Sequence, residues 1–261
     1  MKALFKSISI IAISMMIFAY GCDKNPASPE EDTNDELTDT EKMVLVAAEV
    51  STSSGGITSD LETAYSAAKG EVGGLKKAAT FDTTISNDWL SYHLTLKYYS
   101  VTGQEQERFT PLVTARIDYK GSVSGSKKTT VPKQELNINR VTNLDITNVN
   151  TNIITINGTS TNNSGYKLNS SGVDFDISPN SELTATELKI NLTSGTFIPI
   201  SGKIDALIRG HLTKSGIGED KDFDYSFNIT IEFTGDAEAI VTLPSGEKFK
   251  LNLLTGEFEK V

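Results

Sequence analysis

The chain carries one cysteine and two histidines, so the residues with reaction chemistry can be taken one at a time. Cys22 follows an apolar run from Ile8 to Ala19, itself preceded by Lys2 and Lys6. A thiolate at that boundary is a nucleophile placed at a membrane, whereas a bare thiol there would be a liability in an oxidising compartment. His93 and His211 lie far apart, at polar positions of alternating stretches and without His-Glu-x-x-His spacing, and read as surface histidines. Asp220, Asp222 and Asp224 open like a calcium loop. Its sixth position is Tyr225 instead of glycine and its twelfth is Ile231 instead of an acid, so they read as the polar face of a strand. No Gly-x-Ser-x-Gly nucleophile elbow occurs. Asn-x-Thr triplets at Asn157 and Asn228 match glycosylation acceptors and read as β-surface composition. Trp89, His93, Lys97 and Tyr99 fall on one polar side of an alternating stretch. Exposed, that row stacks on sugar rings or docks a partner; the competing reading packs Trp89 under a helix or loop. No metal or cofactor site is expected, and no enzymatic activity.

Residues 1–21 have the three parts of an export signal: the two lysines, the apolar core and a small residue, Gly21, at the cleavage site. A helix over that core is roughly 18 Å long, well short of the ~30 Å hydrocarbon core of a bilayer. Ala19-Tyr20-Gly21-Cys22 resembles the lipobox of bacterial lipoproteins, usually Leu, then Ala or Ser, then Gly or Ala, then Cys. Ala19 replaces the usual leucine, and the bulky Tyr20 departs from the pattern. The resemblance covers only the signal segment. It implies cleavage between Gly21 and Cys22, diacylglycerol on the Cys22 sulfur, and acylation, such as palmitate, of the new amine. Two or three chains at about 0.8 kcal/mol per buried methylene anchor a protein far better than one. The implied location is the cell envelope, with the membrane as partner through the lipid. Asp23 resembles an inner-membrane retention signal whose rule varies among bacteria; the expectation is outer membrane over inner. Ser66-Ala-Ala-Lys69, Ser178-Pro-Asn180 and Lys214-Ser-Gly216 follow the order of the penicillin-binding motifs. Ser-x-x-Lys also occurs at Ser124, Ser164 and Ser245, and Lys214-Ser-Gly216 is expected in a hairpin loop, so the order reads as coincidence.

After the cysteine, residues 22–37 are rich in Pro, Asp and Glu and lack apolar periodicity, which reads as a disordered acidic tether about 20 Å in root-mean-square span. Loss of Lys2 and Lys6 with the signal takes the formal charge from −10 to −12. A balance that acidic disfavours nucleic acid and anionic lipid surfaces. With its one cysteine used as the anchor, the mature chain must be held by burial and hydrogen bonding.

Residues 38–261 read as a single, mainly β domain. Helices are expected near 39–50 and 59–69, with Thr38 and Glu41 as a capping box and Ser59 as the second N-cap. Met43, Val46, Ala47 and Val50 form one apolar stripe, and Leu61, Ala64, Tyr65 and Ala68 the other. From Trp89 onward the period becomes two. Ile198 to Leu212 and Phe223 to Phe233 predict one long antiparallel hairpin, with Gly202 and Gly210 facing aromatic rings or marking bends. A second hairpin turns at Pro244-Ser245-Gly246. Residues 134–193, dense in Asn and Thr, predict weaker strands at LNINRV, NIITING, YKL, VDFDI and LKINL. The expected architecture is a large curved antiparallel sheet, or an open barrel or half-barrel, with the helices on its apolar face. That architecture is similar to half-barrel lipoprotein carriers. The function expected is a non-enzymatic binding or structural module with a glycan, lipid or protein partner. The alternative is a carrier of a lipid or other apolar ligand in a half-barrel cavity.

Overall fold

A computed structural model of the chain describes residues 37–52, 54–71, 80–86, 90–130, 133–170, 173–216 and 220–261. The expected export signal and the expected tether up to residue 36, with Gly21 and Cys22, lie outside the described residues, as does Trp89.

Helix α1 (Asp39–Val50) begins with the expected capping box: Glu41 N–H donates to Thr38 Oγ1 at 3.3 Å, and Thr38 N–H to Glu41 Oε2 at 2.8 Å. Helix α2 (Ile57–Ala68) starts earlier than expected, with Gly56 and not Ser59 as its N-cap. The two helices approach so closely there that a Cβ on Gly56 would sit 2.5 Å from the Glu49 carbonyl oxygen. Only glycine lets the chain reverse that tightly. Ser59 lies inside the first turn, where its carbonyl accepts a hydrogen bond from Thr63 Oγ1.

Among the described residues thirteen strands form one antiparallel sheet. They are β1 (Thr80–Ser86), β2 (Leu90–Ser100), β3 (Glu105–Gln106), β4 (Thr114–Thr130), β5 (Lys133–Thr147), β6 (Ile153–Asn163), β7 (Gly165–Ser170), β8 (Val173–Asn191), β9 (Pro199–Gly216), β10 (Lys221–Phe233), β11 (Glu238–Thr242), β12 (Lys248–Asn252) and β13 (Phe258–Lys260). The order is a meander in which sequential strands are neighbours. β3 adds a short pairing to β2, and β6 and β7 are successive halves of one line between β5 and β8. β1 and β13 are the ends of the path, so the sheet is open.

The curvature follows from two hydrogen bonds. Thr52 N–H donates to Leu253 O at the end of β12, and Arg140 of β5 donates to Gly55 O. β5 and β12 are six strand spacings apart along the path, about 29 Å if flat. A turn of a few residues reaches both only because the sheet curls into a half-barrel around the helices.

The Asn- and Thr-rich region corrects the expectation of weaker, separate strands. β5 has 15 residues and β8 has 19, with VDFDI and LKINL the two ends of β8. Ser181, Leu183 and Ala185 keep the inward alternation between those ends, and a ladder of backbone hydrogen bonds needs no large apolar side chain. Pro179, which cannot donate to a ladder, lies opposite the break between β6 and β7. Lys214-Ser-Gly216, expected in a loop, is the paired end of β9. Gly202 stands where β8 and β9 slip register, and Gly210 lies against the Tyr225 hydroxyl, so one marks a bend and the other meets a ring.

Candidate functional site

Cross-strand register sorts the inner face of the sheet into layers. One row runs Leu96, Tyr119, Leu144, Gly158, Ala185, Ile204, Ile231, Val241 and Phe249, across nine strands. Its side chains are buried, as are Met43, Val46, Val50, Ile57, Leu61 and Ala64 of the helices, in one continuous core. Burial at roughly 25 cal/mol per Å² of apolar surface makes this core the main source of stability.

The next two rows are polar at their centre. Thr142 pairs with Ser160, and below them Arg140 with Asn162 and Asn162 with Ser181. All five are buried, and the helix ends bring two carboxylates onto them. Asp60, in the first turn of α2, accepts from Arg140 Nε at 2.8 Å and from Thr142 Oγ1 at 2.6 Å. Because Thr142 gives its proton to Asp60, Ser160 must donate across the 2.9 Å contact to Thr142. Arg140 Nη1 donates to Gly55 O in the turn between the helices. Glu49, in the last turn of α1, accepts from Asn162 Nδ2 at 2.9 and 2.8 Å and from Ser181 Oγ at 2.5 Å. Ser164 Oγ completes the chain by donating to Asn162 Oδ1.

The two carboxylates differ electrostatically. Burial raises the Glu49 carboxyl above its ordinary value, against the lowering effects of Ser181, Asn162 and the more distant Arg140 charge. Burial alone would lower Arg140, but the Asp60 carboxylate beside it prevails and raises it. Burial, then Glu49, pushes the Tyr166 and Tyr225 hydroxyls well up.

Below the belt the face is apolar again. Leu136, Tyr166, Ile177, Leu212 and Phe223 pair in one row, with Pro179, Gly210 and Tyr225 between it and the belt. Ile177 and Tyr225 are buried, while Tyr166, Leu212 and Phe223 are half-buried and pack against the core from its lower side. A separate depression of about 260 Å³ lies at β9, β10 and β11, lined by Asp205, Asn228, Thr230, Thr242 and Leu243 among others.

The residues singled out in the sequence lie elsewhere. His93 and Lys97 are exposed on the outer face of β2, and Tyr99 beside them is half-buried. The Tyr99 hydroxyl donates to Asp118 at 2.9 Å, and the Arg116 guanidinium lies 5.2 Å from its ring, so Tyr99 is already engaged within the sheet. His211 is exposed between Asp222 (2.7 Å) and Asp224 (2.9 Å), two of the three acids of the calcium-like stretch. The hydrogen bond to Asp224 raises its pKa. Among the described residues no group of three or more acids, histidines or cysteines is arranged to hold a metal ion, and no helix is long and apolar enough to cross a membrane.

Sequence reading missed the belt. The available signal was polar residues in the buried phase: Arg140 and Thr142 between Ile138 and Leu144, Ser181 between Ile177 and Leu183, Glu49 between Val46 and Val50. No family model matches the chain, and neither a curated protein nor a solved structure matches it.

Proposed function

We propose that this protein is a non-enzymatic binding protein of the bacterial cell envelope, anchored by lipid on Cys22 and holding its ligand on the inner face of the half-barrel. The observation that carries the binding reading is the second apolar layer. The lining continues below the belt, past the residues to which the helix ends are bonded, and its half-buried aromatic residues leave apolar surface for a ligand. The absence of an enzymatic role is supported by the use of the buried carboxylates, Glu49 and Asp60, in fastening helices to the sheet. Anchoring is supported by the lipobox-like residues before Cys22 and the acidic spacer after it.

The same layer favours a carrier as the second reading, in which the bound ligand is released elsewhere. An outer-face glycan site at His93, Lys97 and Tyr99 is less favoured, because Tyr99 is held by Asp118 and Arg116. Two measurements test the proposal. Cells fed labelled palmitate should incorporate it into the wild-type chain and not into Cys22→Ser, which should also leave the membrane fraction. Mass spectrometry of purified Cys22→Ser should find co-purified amphiphile. An unlabelled wild-type chain would remove the anchor, and a chain free of amphiphile that also fails to bind any supplied would remove the binding reading.

A further inference from the structure

The reading of the inner face as a ligand site leaves the ligand's chemistry open, and two buried donors supply it. Arg140 is 4% exposed and Tyr225 is 7% exposed. Arg140 Nη2 and Tyr225 Oη are both buried without a hydrogen-bond partner among the described residues. Nothing about Arg140 is otherwise unfinished: Nε is bonded to Asp60 and Nη1 to the Gly55 carbonyl. Tyr225 reaches over Gly210, where a Cβ would stand 2.6 Å from its hydroxyl oxygen, so glycine makes the room that the hydroxyl occupies. Buried donors are almost always satisfied, and an unpaired one points to an acceptor that the chain itself does not provide.

Tyr225 stands at the lower margin of the belt, where polar side chains give way to the second apolar layer, and Arg140 belongs to the belt itself, four strand spacings away on β5. Along β8, the six steps from Ser181 down to Phe175 span about 20 Å. A ligand suited to this lining has a hydrogen-bond acceptor at one end and a hydrocarbon chain at the other. The acceptor is uncharged, because Asp60 already matches the Arg140 charge and burial here drives even Glu49 toward its neutral form.

We infer that the inner face binds the acyl chain of an ester-linked lipid, with the ester carbonyl accepting from the Tyr225 hydroxyl and the chain lying along Tyr166, Ile177, Leu212 and Phe223. The ester chain has two sources, a free glycerolipid or the lipid of another acylated protein.

The test uses the full chain with Cys22→Ser, so that its own anchor cannot fill the site. The probes are 1-palmitoyl-lysophosphatidylcholine and its 1-O-hexadecyl ether analogue, which lacks only the carbonyl, each titrated calorimetrically below its critical micelle concentration. The ester should bind about tenfold more tightly than the ether. Tyr225→Phe, which removes a hydroxyl that bonds to nothing in the fold, should leave thermal stability intact and erase that preference. Equal binding of ester and ether by the wild type, or a preference that survives Tyr225→Phe, would overturn the carbonyl assignment while leaving an inner-face ligand standing. Failure of both probes to bind would overturn the acyl-chain assignment, and only if no amphiphile co-purifies either would the binding reading fall with it. Given ester preference, a dipalmitoylated lipopeptide that binds more tightly than the lysolipid identifies the protein-borne source, and one that binds more weakly identifies the free lipid.

Discussion

Two carboxylates fasten the helices to one polar belt, and they do so in opposite ways. Asp60 meets a guanidinium that also holds the turn at Gly55, so charge faces charge. Glu49 meets an amide and a hydroxyl, so a buried acid faces neutral donors. A buried ion pair gains little over an apolar replacement but is costly to halve, because the survivor is left charged and dry. A buried acid without a countercharge can instead become neutral, which is the direction in which burial drives Glu49. The Asp60 joint should therefore be sensitive to loss of one partner, and the Glu49 joint to pH.

The largest effect should come from halving the pair. Arg140→Ala should cost about 3–5 kcal/mol in urea unfolding, whereas the double variant Asp60→Leu, Arg140→Met should recover most or all of it. A double variant as unstable as the single would show that Arg140 acts through packing instead. Glu49→Ala, which strands Asn162 and Ser181, should cost about 1–3 kcal/mol, less than Arg140→Ala. Glu49→Gln sharpens the contrast further. The folded state binds the Glu49 proton more tightly than the unfolded chain does. Its stabilising contribution is therefore complete below the ordinary value of 4.5 and is lost as pH rises through the raised folded value. The wild type should lose ground to Glu49→Gln as pH rises from the ordinary value of 4.5 through the raised folded value, and parallel stability curves across that range would remove the idea. His211 is the exposed counterpart and should give the smallest effect. Its raised pKa makes its contribution to stability present below 6.5 and lost as pH rises through the folded value. His211→Gln should flatten only a slight decline in Tm over that range, since solvent screens the pair with Asp222 and Asp224.

The architecture was legible because period two continues from β2 to β12 and because the apolar stripes of α1 and α2 could be counted directly. Helix starts were half legible. Thr38 and Glu41 cap α1 through their own side chains, but Gly56 displaces Ser59 through a close approach between two helices, which no local pattern encodes. β8 was hidden because Ser181 and Pro179 look like a break, and only the partner strands show that Pro179 lies where no donor is needed. The belt was hidden for a related reason. Arg140 in a stretch rich in Asn and Thr looks solvated, and what makes it interior is Asp60, 80 residues earlier, together with the turn at Gly55.

That separation bears on the order of assembly. Nearly all strand pairing joins neighbours in the chain, so hairpin after hairpin can close as the polypeptide emerges. The helices are made before β5, β6 and β8, and Glu49 must wait for Ser181, 132 residues downstream. Until then α1 lacks the partners of its last turn, although α2 can already meet β5 through Asp60, and helices of 12 residues hold poorly alone. Full seating of the helices therefore cannot precede β8, and the bond from Thr52 N–H to Leu253 O cannot form until the last strands are made.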